Sequence, residues 1–119
     1  MDKKIPQVIV ELPAFIQAVN ELWDEETQRK FKNYIGNNPL AGAIIPGTNG
    51  IRKIRWQYGG KGKRGGVRVI YYFFNENHPL FLLFAYPKNV QENLSEKEKK
   101  LFNSLIRRIK DSLRKGETQ

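Results

Sequence analysis

The sequence predicts an α+β fold: two N-terminal helices packed on a small antiparallel β-sheet, with a C-terminal helix, in the order β-α-α-β-β-β-α. Three observations predict it. The runs "IRKIRW", "VRVIYYFF" and "LFLLFAYPK" are rich in β-branched and aromatic residues, and only glycine-rich or polar connectors separate them, so they pair as antiparallel neighbours. Apolar residues recur at helical spacing on both sides of this block. The chain has 119 residues and no cysteine, a length that buries a core without disulfides and fits one domain over 1–119.

The elements follow in order. "QVIVEL" reads as a short first strand over 6–12. Pro13 suits the first position of a helix, and Phe15, Ala18, Val19 and Leu22 give it an apolar face. Asp24 caps a second helix, with Glu25 and Glu26 at its positive end and Phe31, Tyr34 and Ile35 as its buried stripe. Gly36 is expected to end it in the left-handed conformation. "AGAIIPGTNG" reads as loop. The strand "IRKIRW", the connector "GGKGKRGG" and the strand "VRVIYYFF" come next, then the turn "NENHP" and a buried strand ended by Pro87. His78 sits in that turn as an exposed bystander. Ser95 and Glu98 form a capping box for the last helix, whose apolar face is Leu101, Phe102, Leu105, Ile106, Ile109 and Leu113. The tail after Lys115 is expected to fray. The two early helices cover one face of the sheet, and the other face is left partly open.

The charge narrows the function. Lys and Arg exceed Asp and Glu by 21 to 12, a net charge of +9. Between Glu26 and Glu76 there is no acidic residue but ten basic ones, which favours a polyanionic partner, with nucleic acid first. No helix joins a basic face to an exposed apolar one, so a membrane surface is not expected. The absence of cysteine and the single histidine exclude Cys- or His-based metal centres and a His–His acid/base pair, so no metal or cofactor is expected. The start, "MDKKIPQVIVELPAF", has no signal-peptide pattern, and the expectation is a cytoplasmic protein.

Strand parity sorts the cations. Lys53 and Arg55 share a face with Ile51, while Arg52, Ile54 and Trp56 take the other. Arg68 shares a face with Ile70 and Tyr72, and Tyr86 with Lys88. In an antiparallel sheet Lys53, Arg55, Arg68 and Lys88 converge on one surface, in a register that sequence alone does not fix. Such a cluster does one of two things. It binds phosphates and no more, or it cleaves RNA without a metal. RNA supplies its own nucleophile, and fixed cations stabilise the charge that builds on the phosphoryl oxygens. A lysine crowded by cations yields its proton more readily, which suits a general base. The connector "GGKGKRGG" lacks the P-loop pattern and precedes a strand. It reads as a basic arm on a nucleic-acid backbone or as a solvated hairpin loop. Of the strand aromatics, Tyr72 and Tyr86 are the candidates to meet a ligand.

The stretch Gly50 to Glu98, "GIRKIRWQYGGKGKRGGVRVIYYFFNENHPLFLLFAYPKNVQENLSEKE", resembles the RelE superfamily of bacterial type II toxins, and within it the HigB-like branch. The resemblance is most specific in "GKGKRGG" followed by Arg68 and "IYY". It implies a RelE-like fold and a metal-independent endoribonuclease, an mRNA interferase that cuts mRNA in the ribosomal A site. Attack by the 2′-OH leaves a 2′,3′-cyclic phosphate and a 5′-OH. It implies as partners mRNA, the ribosomal RNA of the 70S ribosome, and a HigA-like helix-turn-helix antitoxin. Carried onto this chain, the phosphate-stabilising arginine falls on Arg68, the preceding basic pair on Lys53 and Arg55 with Lys53 as base candidate, and the cation after the last strand on Lys88. Arg52, Lys61, Lys63, Arg64, Tyr72 and Tyr86 become the RNA and ribosome contacts. Some relatives carry a tyrosine shortly after the last cation. Here that stretch reads "NVQENLS", which leaves Tyr86 as the substitute. The same superfamily holds ParE-like toxins that act on DNA gyrase. That reading, and a non-catalytic RNA-binding protein, are the alternatives.

Overall fold

The computed structural model describes residues 5–57 and 66–117. The chain forms β1 (Ile9–Glu11), α1 (Pro13–Leu22), α2 (Glu25–Asn37), β2 (Ala43–Ile44), β3 (Ile51–Trp56), β4 (Val67–Phe73), β5 (Leu80–Pro87) and α3 (Glu96–Glu117). The α+β class and the order of the long elements are as the sequence predicts. The sheet is larger and mixed. Five strands stand in the order β1-β5-β4-β3-β2, and β1 runs parallel to β5 while the other pairs are antiparallel.

Local signals set the helix starts. Pro13 lies in the first turn of α1. The Asp24 carboxylate accepts the Thr27 N–H at 2.8 Å and caps α2. These hydrogen bonds from Thr27 hold the Asp24 carboxyl below its usual range. The helix α2 does not stop at Gly36. It runs to Asn37, because Asn37 and Asn38 donate their side-chain amides to the Asn33 and Tyr34 carbonyls at 2.7 and 2.9 Å and satisfy the terminal acceptors themselves. At α3 the capping box is present in full: Ser95 N–H donates to Glu98 Oε1 at 2.8 Å and Glu98 N–H to Ser95 Oγ at 3.1 Å.

The expected loop over 41–50 holds the short strand β2, which pairs Ala43 with Lys53 and Ile44 with Arg52. Two residues beside glycines and a proline carry no readable alternation, so pairing with β3 alone defines this strand. Gly42 lets it approach. A Cβ there would lie 2.7 Å from the Lys53 carbonyl oxygen and 2.8 Å from the Tyr71 ring.

Two cores flank the sheet. On one side Phe15, Val19, Phe31 and Ile35 from α1 and α2 pack on Val67, Val69, Tyr71, Leu80 and Leu82. Burial of each such side chain contributes about 1.5–3 kcal/mol. Tyr34 is not part of that stripe: it stays 39% exposed and lies against the Trp56 ring at 5.2 Å. On the other side α3 sets Phe102 and Ile106 against Ile51, Ile70, Tyr72, Leu83 and Tyr86. The second face is therefore more covered than the sequence suggests, since the amphipathic α3 has its own apolar stripe to bury. Leu101 falls outside this stripe and is exposed. Among the described residues no helix is long and apolar enough to cross a membrane.

Candidate functional site

Three strands build the site on the face that α3 covers in part. The register of β3 with β4 sets Arg55 directly opposite Arg68, with Lys53 opposite Ile70. On the other flank of β4, Arg68 stands opposite Tyr86. Like charges directly across an antiparallel pair destabilise a sheet. The Arg55–Arg68 pair is thus a local cost that packing does not explain, a mark of functional sites.

A β-bulge brings Tyr86 into this arrangement. Ile70 pairs with Phe84 and Tyr71 with Leu82, so Leu83 is the extra residue of β5. Before it, Leu80 and Leu82 face α1 and α2, and after it Ala85 does, while Leu83, Phe84 and Tyr86 turn to the α3 side. Without the extra residue Tyr86 would point to the opposite face from Arg68. Bulges re-aim side chains in this way.

Arg55 is exposed, whereas the Arg68 side chain is only 17% exposed. The Arg68 Nε is buried and has no hydrogen-bond partner among the described residues. Leaving such a donor unpaired costs about 1–3 kcal/mol. Among the described residues Arg68 forms an ion pair with Glu92, Nη2 to Oε2 at 3.5 Å. Lys53 Nζ donates to Asn93 Oδ1 at 3.3 Å, and the Tyr86 hydroxyl donates to the Glu92 carbonyl at 3.5 Å. Burial pushes the Tyr86 phenol above its usual range, against the lowering field of Arg68, so it is a protonated donor at neutral pH.

The remaining candidates are dispersed. Lys88 donates its backbone N–H to the Gly66 carbonyl at 3.1 Å, which puts it at the Arg68 end of β4. Tyr72 is on the same face as Arg68 but only 3% exposed, with little surface left for a ligand. Arg52 points to the other face and brackets the loop before β2, donating to the Gly42 and Leu40 carbonyls at 2.6 and 3.4 Å. Lys61, Lys63 and Arg64 lie outside the described residues. His78 is half-buried, its Nδ1 2.7 Å from Asn75 Oδ1.

Sequence reasoning missed Glu92 and Asn93. The capping box fixes the start of α3 at Ser95, so the residues just before it have to cross the end of β5. That was the available signal.

Lys53, Arg55 and Arg68 thus stand on one sheet face of a small, basic α+β chain. The family model described as the RelE toxin of the RelE/RelB toxin–antitoxin system matches residues 43–116, from β2 almost to the end of α3. The chain belongs to this family and is a toxin of a toxin–antitoxin system.

Proposed function

We propose that this toxin is a ribosome-dependent endoribonuclease of the HigB-like branch. It acts as one domain over residues 1–119, in the cytoplasm, and a HigA-like helix-turn-helix antitoxin silences it. Cleavage of mRNA on the ribosome is the general activity of the family. The observation that carries the reading is the unfavourable Arg55–Arg68 opposition with Lys53 on the same strand face. A fold keeps such a pair where an anion is to be bound.

In the proposed reaction a 2′-OH attacks the adjacent phosphorus and the bond to the 5′-oxygen breaks. Lys53 is the base that takes the 2′ proton. Arg68 and Arg55 donate to the non-bridging oxygens, where charge grows in the transition state. The leaving 5′-oxygen takes a proton from Tyr86 or Lys88. The products are a 2′,3′-cyclic phosphate and a 5′-OH end. Arg52, Lys61, Lys63 and Arg64 serve as contacts to ribosomal RNA, which are long-range and salt-dependent.

The test is primer extension on an mRNA in a purified translation system. Wild-type protein is expected to give discrete cuts only with ribosomes, and Arg68→Ala to lower their rate by about 10²-fold or more, as loss of one transition-state donor does. Growth arrest by the wild type without cuts would overturn the nuclease and direct attention to gyrase.

A further inference from the structure

Glu92 and Asn93 are the parts of the site that the proposed chemistry leaves unused. Two consecutive residues present three oxygens to three site groups. The Glu92 carboxylate faces Arg68, its carbonyl accepts from Tyr86, and the Asn93 amide oxygen accepts from Lys53. A phosphodiester would offer the same cations the same things, a negative oxygen and an acceptor oxygen side by side. The contacts are long, 3.3 to 3.5 Å. Charge-assisted hydrogen bonds at their best are near 2.7–2.9 Å. The fit is loose and the Arg68 Nε gains nothing from it.

The segment is tied most firmly on its helix side, while on the strand side the Gln91 N–H donates to the Pro87 carbonyl at 3.4 Å and the Gln91 side-chain amide to the Asn93 carbonyl at 3.0 Å. Leu94 is 6% exposed and seated with Phe102 and Ile106, and Ser95 is locked in the capping box. Among the described residues the Glu92 side chain, 64% exposed, is held by the Arg68 ion pair, and its carbonyl by the long hydrogen bond from Tyr86. A long pair whose carboxylate end is open to solvent contributes about 0–1 kcal/mol. It is enough to offset part of the Arg55–Arg68 repulsion in the free protein and too little to resist a polyanion.

We infer that Glu92 and Asn93 are a built-in occupant of the cationic site, a strap that an RNA phosphate must displace. The inference rests on the reading of that site as an RNA phosphate site. Occupation by the strap lowers apparent affinity by the fraction of molecules that are closed. It also sets a threshold that an RNA positioned by other contacts passes more readily than a free strand.

The experiment measures fluorescence anisotropy of a labelled 2′-O-methyl oligoribonucleotide, which cannot be cut, titrated with full-length protein. Glu92→Gln is expected to bind about fivefold tighter than wild type, the scale of one exposed charge pair. Asn93→Ala should move in the same direction by a smaller factor. Glu96→Gln removes an identical charge from an exposed position paired with Lys99, and should change binding by less than about twofold. The gain at Glu92 should vanish in the Arg68→Ala background. Binding by Glu92→Gln that only matches Glu96→Gln, or is weaker than wild type, would overturn the strap and make Glu92 a positioning residue for Arg68. A gain that survives Arg68→Ala would overturn it in favour of bulk charge. Binding without the gain refutes this inference alone, whereas no binding by any variant also removes the RNA-directed reading.

Discussion

Arg68 carries conflicting demands that a structural residue would not. It sits in the middle strand of the sheet, faces Arg55 across one ladder, and buries an Nε that has no partner among the described residues. A hydrophobic side chain of similar length would remove both costs and lose only a loose ion pair with an exposed glutamate. Arg68→Met is therefore expected to leave stability unchanged or raise it by up to about 1 kcal/mol while cleavage is lost. Urea denaturation midpoints, read beside the primer-extension rate, check this. A destabilisation larger than about 1 kcal/mol would mean that the guanidinium supports the fold, and the case for a functional arginine would lose its main support. Parity put Lys53 and Arg55 on one face of their strand, and Arg68 with Ile70 and Tyr72 on one face of the next, since alternation along a strand depends on nothing else. The direct opposition of Arg55 and Arg68 was beyond it, because register depends on turns and bulges outside either strand.

At the scale of the elements, the strong periodic segments were legible and the short or irregular ones were not. The capping signals at Asp24 and Ser95 are local chemistry, and both form as read. The strand β2 has two residues, and the bulge at Leu83 looks like any other leucine in an apolar run. That bulge decides which face Tyr86 occupies, so the site's composition was only half readable. The α3 cap has a functional reach, because the segment that touches Arg68 and Lys53 enters the helix through it. Ser95→Ala is expected to cost about 1 kcal/mol, as N-cap losses do, visible as a lower denaturation midpoint. The Glu98 carboxyl adds a pH dependence. Burial alone would raise it, but hydrogen bonds from the Ser95 N–H and the Gln91 amide outweigh that and hold it below its usual value of 4.5. A depressed carboxyl stabilises the fold above its unfolded pKa and loses that contribution as pH falls through the folded one. Stability should therefore decline on acidification below about pH 4.5, and less steeply in Glu98→Gln. An unchanged acid limb in that variant would show that the cap is not what titrates.

For the whole molecule, the two cores on either side of one sheet make alkaline pH the revealing perturbation. Tyr71 is buried on the α1–α2 side, and Tyr72 and Tyr86 on the α3 side. Burial raises all three phenols above 10.0, in Tyr71 against the hydrogen bond to Gly42 and in Tyr86 against the field of Arg68. A phenol raised in the folded state leaves stability intact below the unfolded pKa. Above it the unfolded chain ionises first, binds fewer protons, and is favoured as pH rises. Stability should hold to about pH 10 and then fall steeply, with both cores contributing to the slope. Denaturant midpoints measured across that range test it, and Tyr72→Phe and Tyr86→Phe should each flatten the alkaline limb. Salt acts on the same molecule in the opposite sense for its two properties. A chain with net charge +9 repels itself, so raising ionic strength screens that repulsion and should raise the midpoint at neutral pH, while RNA affinity falls with each released counterion. If added salt lowered both, ion pairs such as Lys32–Glu11 at 3.2 Å would outweigh the repulsion, and the acid-free window would have to be neutralised within the fold instead of being held for a polyanion.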